Sequence, residues 1–512
     1  MSNLKTFKRV GGLRPGRSVF DLSYEKKFTC DMGQLIPICC EEVVPGDVWT
    51  IGSEILARAM PLVAPIMHEV NIYTHWFFVP YRLLCKEWEN FITGGKSGNE
   101  APPLPRWPVV GRKDVGSLWD YMGFPVGVIP QGMMPLDFPR KGYYFIIKDY
   151  YIDPNLGEPE LLEPENLPDE TGHIDNRCWE KDYFTSALPW QQRGAPMAFP
   201  IAGKVKAEFL GDTSSGLSGS SLRIKFNETT GKPEMVLGTE SPVHQQDLID
   251  WFNDNEIDLS LASTFDVSFM RNAFQVQKWL ERNARAGYRY TEFLRSHFGV
   301  SPRDERLDRA EYIGGSRTPL VISEVLQTSN SVQNVSMQGN MAGHGITVGG
   351  NRIGTYRVHE FGLIMGIMSI MPKPAYSQGI DRQWLRETKY DFYFPEFANL
   401  SEQAIYQAEL MASDSEQENK RIFGYNGRYD EMRYKRNMVC GKMRSDFAHW
   451  HLGRFFSSGA PPRLNNDFVL CNPDKRIFAV QNEPGFVVTA GNLIRAVRPM
   501  PIMSTPGLID HN

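Results

Sequence analysis

In 512 residues, 60 Asp and Glu against 55 Lys and Arg leave a net charge of −5, which excludes a generally basic nucleic-acid binder and leaves only local clusters to weigh. Glycine (45) and proline (35) make up about 16% of the chain against a usual ~12%, which points to many turns and long ordered loops. The seven cysteines are odd in number and form no C-x-x-C pair, a pattern of free thiols in a reducing compartment rather than of a disulfide framework.

Residues 1–20 carry Lys5, Lys8, Arg9, Arg14 and Arg17 and no acid. Gly11, Gly12, Pro15 and Gly16 keep this stretch from forming a helix, so it is either a solvated terminus or a basic arm that touches phosphates. No apolar run follows the basic residues, and no signal peptide is expected. Residues 30–49, CDMGQLIPICCEEVVPGDVW, predict two short strands broken at Pro37 and at the turn Pro45-Gly46-Asp47. Glu41 and Glu42 point apart on a strand and do not make an acid/base dyad.

Residues 69–84, EVNIYTHWFFVPYRLL, predict a long strand stopped by Pro80. Tyr73, His75, Phe77 and Val79 share one face; Ile72, Thr74, Trp76 and Phe78 share the other. Both faces are mostly apolar, so both are expected to be covered. Residues 98–140 are dense in proline and glycine and predict ordered loop. Residues 153–170 hold four prolines, seven acids and no base, and predict a solvated acidic loop. Residues 177–194, RCWEKDYFTSALPWQQRG, are aromatic and irregular, as a buried contact segment would be.

From 200 to 262 the texture changes. KVKAEFL and SLRIKF alternate, NETTGKPE turns between strands, and ten acids outnumber five bases. This predicts an exposed β-rich lobe with an acidic skin. A helix follows, with Ser263 and Asp266 as a capping box and Phe269, Ala273, Val276 and Leu280 on one face. Beyond Gly314-Gly315 the pattern returns to strands. The most apolar run, HEFGLIMGIMSIMPKP at 359–374, is far shorter than the about 20 residues a membrane span needs, and no transmembrane helix is expected. Ile364, Ile367 and Ile370 favour a buried strand over a buried helix.

Motifs for chemistry are sparse. NFITGGKS (90–97) ends like a phosphate-binding loop but has Asn90 where the first glycine belongs. GHGITVGG lacks dinucleotide-binding spacing. His449 and His451 stand two apart, without a third ligand at suitable spacing, and read as a packed or interface pair. Neither a metal site nor a cofactor nor a catalytic constellation is expected. One cluster is more informative: 420–450 holds eight Lys and Arg against three acids, interleaved with Phe423, Tyr425, Tyr429, Tyr434, Phe447 and Trp450. Cations that follow a backbone and aromatic platforms for bases are what single-stranded nucleic acid needs. The other reading is an ordinary surface on which arginines stack on tyrosines.

At this point the strings FDLSYEKKFTCDMGQLIPI, EEVVPGD, THWFFVPYRLL, CWEKDYFTSALPWQQRG, FQVQKWLERNARAGYRYTEFLRSHFGV, EYIGGSRTPLVISEVLQTS, MAGHGITVGG, MGIMSIMPKPAYSQGIDRQW and RPMPIMSTPGLIDH become decisive. Together they cover nearly the whole chain, and it resembles the major capsid proteins of the microviruses, small single-stranded DNA bacteriophages, nearest to their gokushovirus branch. The match is weakest over 200–262. The resemblance implies an all-β fold: an eight-stranded antiparallel viral jelly roll with very long loop insertions and a few helices. It implies a non-enzymatic T=1 icosahedral shell, reached through pentameric intermediates, around circular single-stranded DNA. Other viral structural proteins and a bacterial surface receptor are implied partners; the virion is the implied location, with assembly in the host cytoplasm.

The expected organisation is a basic arm (1–20), a first part of the jelly roll (21–130), a large insertion (131–310) and a second part (311–512). The insertion holds a three-fold protrusion lobe at 200–262, facing the host, and a helical segment at 264–299. The residues expected to face DNA are Lys5, Lys8, Arg9, Arg14, Arg17, Arg421, Arg428, Tyr429, Arg433, Lys435 and Arg436. A carbohydrate-binding β-sandwich is the alternative, with a cupin-type enzyme behind it.

Overall fold

The structure, a computed structural model, describes residues 16–503 except 97–98, 112, 131, 193–203, 207–222, 227–232, 237–255, 259–266, 287–289, 300–302, 327–340, 399, 401 and 458. The chain divides into two compact units, Met1–Gln191 with Asn283–Asn512, and Gln192–Arg282.

Five strands come early: β1 (Ser18–Asp21), β2 (Tyr24–Cys30), β3 (Ile36–Val43), β4 (Val48–Ala59) and β5 (Val70–Pro80). Four short ones belong to the smaller unit: β6 (Lys204–Lys206), β7 (Arg223–Phe226), β8 (Pro233–Val236) and β9 (Glu256–Asp258). The rest are β10 (Glu311–Pro319), β11 (Val321–Leu326), β12 (Met341–Arg357), β13 (Gly362–Pro372), β14 (Glu402–Tyr406), β15 (Ile422–Gly427) and β16 (Phe486–Arg498).

The larger unit is built on two antiparallel sheets. One runs β1-β16-β4-β12-β11, with β2 continuing β1 along the same edge of β16; the other runs β10-β5-β13-β3. Four strands of each, β2-β16-β4-β12 and β3-β13-β5-β10, follow the winding of a jelly roll, and β1 and β11 extend the first sheet. The fold is all-β with few helices, as the resemblance implies.

Alternation on β4 and β16 explains the sandwich. Trp49, Ile51, Ile55 and Ala57 of β4, and Phe486, Val488, Ala490 and Ile494 of β16, are buried in one cluster with Ile72, Trp76 and Phe78 of β5 and Ile364, Met368 and Ile370 of β13. Their neighbours Glu54, Leu56, Arg58, Val487 and Leu493 are exposed. The first sheet thus has one covered face, whereas every residue of β13 is buried.

The second face of β5 and β13 explains that difference. Phe77, Val79, Leu363, Met365 and Ile367 pack in another cluster with Trp107, Trp119 and helix α1 (Phe138–Tyr150). The apolar run at 361–371 is therefore a central strand, paired to β3 on one side and β5 on the other.

Three local expectations need correction. Pro37 lies inside β3 rather than breaking it; the register to β13 shifts between Gly366 and Ile367, opposite Cys39 and Pro37, and a bulge tolerates the missing N–H. Within 98–140, helices occur at Leu118–Tyr121 and from Phe138 onward. Helix α1 carries tyrosines and isoleucines that suit a strand, but Pro139 opens its first turn and it is buried on nearly every side, so no polar stripe advertises it. Third, the acidic loop keeps the solvated carboxylates expected of it but is also fastened down. Buried Arg140 holds Asp137 through two 2.7 Å hydrogen bonds and donates to the Pro168 and Thr171 carbonyls (2.9 and 3.3 Å). Pro159 and Leu167 are buried while Glu158, Glu160, Glu165, Asp169 and Glu170 face outward.

In the smaller unit β6 pairs β9 and β7 pairs β8. The rest of the expected lobe, its polar tip at 211–221 and the capping box Ser263/Asp266 lie outside the described residues. The helical segment consists of α2 (Val267–Ala286) and α3 (Tyr290–Phe298). Of the expected apolar face, Ala273 is buried, Leu280 half-buried and Val276 exposed. No helix among the described residues is long and apolar enough to cross a membrane.

Candidate nucleic-acid interface

Two short strands organise the basic and aromatic segment. β14 pairs β15 from Glu402↔Gly427 to Tyr406↔Ile422, and Tyr425 on the far edge of β15 exchanges two 2.8 Å backbone hydrogen bonds with Leu188. Phe423 anchors the hairpin in a cluster with Tyr183, Phe184, Tyr376, Ile405 and Phe468. This confirms 177–194 as a buried contact segment as far as it is described.

The cations around this hairpin divide in two. Arg421, before β15, donates to Glu418 Oε2 (3.1 Å) and Gln407 Oε1 (3.2 Å). Arg428, after it, donates to the Tyr390 carbonyl (2.6 Å). Arg436 donates to the carbonyls of Glu409 (2.6 Å) and Gly379 (2.9 Å), with its Nε 2.7 Å from Asp381 Oδ1. Arg444 donates to the Val439 carbonyl (2.9 Å). Tyr429 is buried and donates its hydroxyl to the Phe392 carbonyl (2.9 Å). Arg421, Arg428 and Arg436 are partly buried, their guanidinium groups turned onto the protein; Arg444 is exposed although it donates to its own loop. Irregular loops leave carbonyls without ladder partners, and a guanidinium, with five N–H donors, satisfies several at once.

Arg433 and Lys435 face outward. Arg433 is half-exposed and pairs with Asp430; Lys435 is exposed and has no ion-pair partner among the described residues. Lys442 is exposed, with Asp446 3.7 Å away. Arg17 is exposed beside β1, and Lys5, Lys8, Arg9 and Arg14 lie outside the described residues. The structure thus brings Arg421, Arg428, Tyr429, Arg433, Lys435 and Arg436 into one region and leaves Arg433 and Lys435 best placed to meet an anion.

Behind this surface lies a buried polar network. Glu409 accepts from the Tyr406 N–H (2.9 Å), the Tyr183 hydroxyl (2.9 Å) and Arg382 Nη1 (3.0 Å). Burial pushes its carboxyl above the usual carboxylate range, and Arg382 opposes that. Both Glu409 oxygens accept hydrogen bonds, so the group ties these loops together.

His451 is equally structural. Residues 448–450 form a 3-10 turn, not a strand. The Nε2 of His451 lies 2.7 Å from the Met443 carbonyl, and Nδ1 accepts the Gly453 N–H at 2.9 Å. No group of three or more His, Cys, Asp or Glu residues could hold a metal ion among the described residues. All seven cysteines are unpaired.

The sequence reading passed over a neighbouring surface. Trp384, Tyr390, Phe392, Tyr393 and Phe394 are all exposed, and Tyr390, Phe392 and Tyr393 contact Arg428 or Tyr429. The dense aromatic string KYDFYFPEF was the legible signal.

Comparison with known proteins covers nearly the whole chain. The family model for "Capsid protein (F protein)" matches residues 9–508. The chain is 32% identical to capsid protein VP1 of Chlamydia phage 1, with 96% of each protein covered. It is 30% identical to capsid protein VP1 of Bdellovibrio phage phiMH2K, with 98% of each covered. Against capsid protein VP1 of Spiroplasma virus 4 the identity is 29%, over 98% of this chain and 97% of that one.

Proposed function

Since the chain belongs to the phage capsid protein (F protein) family, as a major capsid protein of the microvirus type with a structural role in the virion, we propose that its copies close into a T=1 shell around circular single-stranded DNA, through pentameric intermediates and in the host cytoplasm. The observation that carries this reading is the family match along 9–508 on a sandwich whose strands β5 and β13 are covered on one face by the first sheet and on the other by the protein's own insertions. Such a scaffold covers its core without a partner, which leaves the exposed parts of its loops for contacts between copies.

Basic side chains that face outward, Arg17, Arg433 and Lys435, support contact with packaged DNA, mostly through phosphates and so with little sequence preference. The acidic segment 200–262 is the part proposed to protrude at the three-fold axes and to meet the host surface, since its composition departs most from the rest. Other viral structural proteins complete the proposed set of partners.

Sedimentation and negative-stain microscopy of the expressed protein test the reading. Closed particles or pentamers that protect single-stranded DNA from nuclease are expected; a stable monomer at high concentration would overturn it. Particles that lack the tip 211–221 are expected to form and to lose adsorption to host cells; unchanged adsorption would remove the attachment role alone.

A further inference from the structure

The aromatic segment that lies over Arg428 and Tyr429 is the least explained surface of the larger unit. Trp384, Tyr390, Phe392, Tyr393 and Phe394 are between 44 and 75% exposed. Taking about 150–250 Å² per aromatic side chain, these five present roughly 400–700 Å² of aromatic surface. A monomer rarely shows a contiguous patch beyond a few hundred Å² without using it, and one partner's share of a standard stable interface is about 800 Å². The segment alone supplies most of such a share.

The segment is held in place before anything binds. The Tyr390 carbonyl accepts from Arg428 (2.6 Å) and the Phe392 carbonyl from the Tyr429 hydroxyl (2.9 Å). Tyr393 meets the Tyr429 ring edge-on with centroids 5.1 Å apart, and Phe394 meets Phe397 at 5.9 Å. Thr388 and Asp391 close a reciprocal cap around the turn Lys389–Asp391. Tyr429 itself has φ +65°, a left-handed backbone that a tyrosine adopts only where its surroundings impose it. A surface so organised loses little freedom when it docks.

Charge decides the class of partner. A platform for nucleic-acid bases needs free cations beside its rings. From 384 to 400 the described residues hold Arg386 and Lys389 against Glu387, Asp391 and Glu396. Arg386 lies 3.6 Å from buried Glu431 and over the Phe392 ring, and Lys389 lies over the Tyr390 ring. The outward cations Arg433 and Lys435 belong to the neighbouring segment rather than to this one; aromatic and nearly neutral, the segment itself has the composition of the centre of a protein–protein interface.

We propose that this segment is a contact between copies of the chain in the shell, with Trp384, Tyr390, Phe392, Tyr393 and Phe394 seated against a second copy; the assignment rests on the shell reading above. It gives the two residues below it a purpose: Arg428 and Tyr429 position an assembly surface rather than touch DNA.

The test uses the full chain with Phe392→Asp and Tyr393→Asp together, and Phe392→Leu with Tyr393→Phe as the conservative control. At a concentration where wild type closes into particles, the acidic variant is expected to yield at least 10-fold fewer, with unchanged thermal unfolding of the subunit, and the control to assemble. Wild-type particle yield from the acidic variant overturns the contact. A failure to retain DNA at full particle yield overturns it in favour of nucleic acid. Should the acidic variant fail to fold, radical footprinting of wild type decides: Tyr390 and Tyr393 are expected to be protected in particles relative to dissociated subunits, and equal labelling overturns the contact. If wild type itself forms no particles, the shell reading falls and this one with it.

Discussion

The two sheets and the loop layer around 376–456 belong to one unit, yet the loop layer is far more exposed and different forces hold the two. In the sheets, backbone ladders satisfy nearly every polar group and apolar side chains fill both faces of β5 and β13. In the loop layer, strands are short, and Arg428, Arg436 and Arg444 supply carbonyls with the donors that a ladder would otherwise supply. A cluster of basic residues in a sequence therefore has two meanings. Beside a sheet it can be a surface; within a long irregular loop it can be the framework.

The largest effect that would test this contrast is in the sheets. Trp76 pairs with Gly366 across β5 and β13, and a Cβ on Gly366 would stand only 3.0 Å from the indole. Trp76→Ala is expected to cost about 3–5 kcal/mol, as large-to-small changes in a tight core do. Urea unfolding of the subunit measures it; a loss of under ~1 kcal/mol would mean that the sandwich does not carry the stability.

Next comes the loop layer. Arg436→Met keeps the apolar stem and removes the donors to the Glu409 and Gly379 carbonyls, with an expected loss of about 2–3 kcal/mol, since hydrogen bonds from a charged group to buried acceptors are the strong kind. An unchanged unfolding midpoint, together with weaker DNA binding, would return Arg436 to the nucleic-acid surface.

The smallest effect on stability is expected from Arg433→Ala with Lys435→Ala, within about 1 kcal/mol, because exposed ion pairs contribute little. The same pair of changes is expected to flatten the salt dependence of single-stranded DNA binding by about 0.7 in log–log slope for each phosphate that is no longer neutralised. An identical slope would place the DNA elsewhere.

Much of the architecture is legible without coordinates. The run 361–371 and the two apolar faces of 69–84 announce central, doubly covered strands, because side chains alternate with period two whatever the chain does elsewhere. The turn at Gly46, with φ +92°, and the stop at Pro80 are likewise properties of single residues. Helix α1 was not legible, because a helix buried all round shows no period. Nor was the direction in which Arg421, Arg428 and Arg436 point, although their charge and their tyrosine neighbours were plain.

What the amino-acid order determined by itself was the class of fold, through periodicity, proline and glycine, and the family, through long unusual strings. What only the tertiary structure decided was which polar groups are partners and which are surface. Periodicity is local and survives in any window of the chain. A guanidinium finds its carbonyl tens of residues away, as Arg428 finds Tyr390 and Arg436 finds Gly379, and only the closed fold brings them within hydrogen-bond distance.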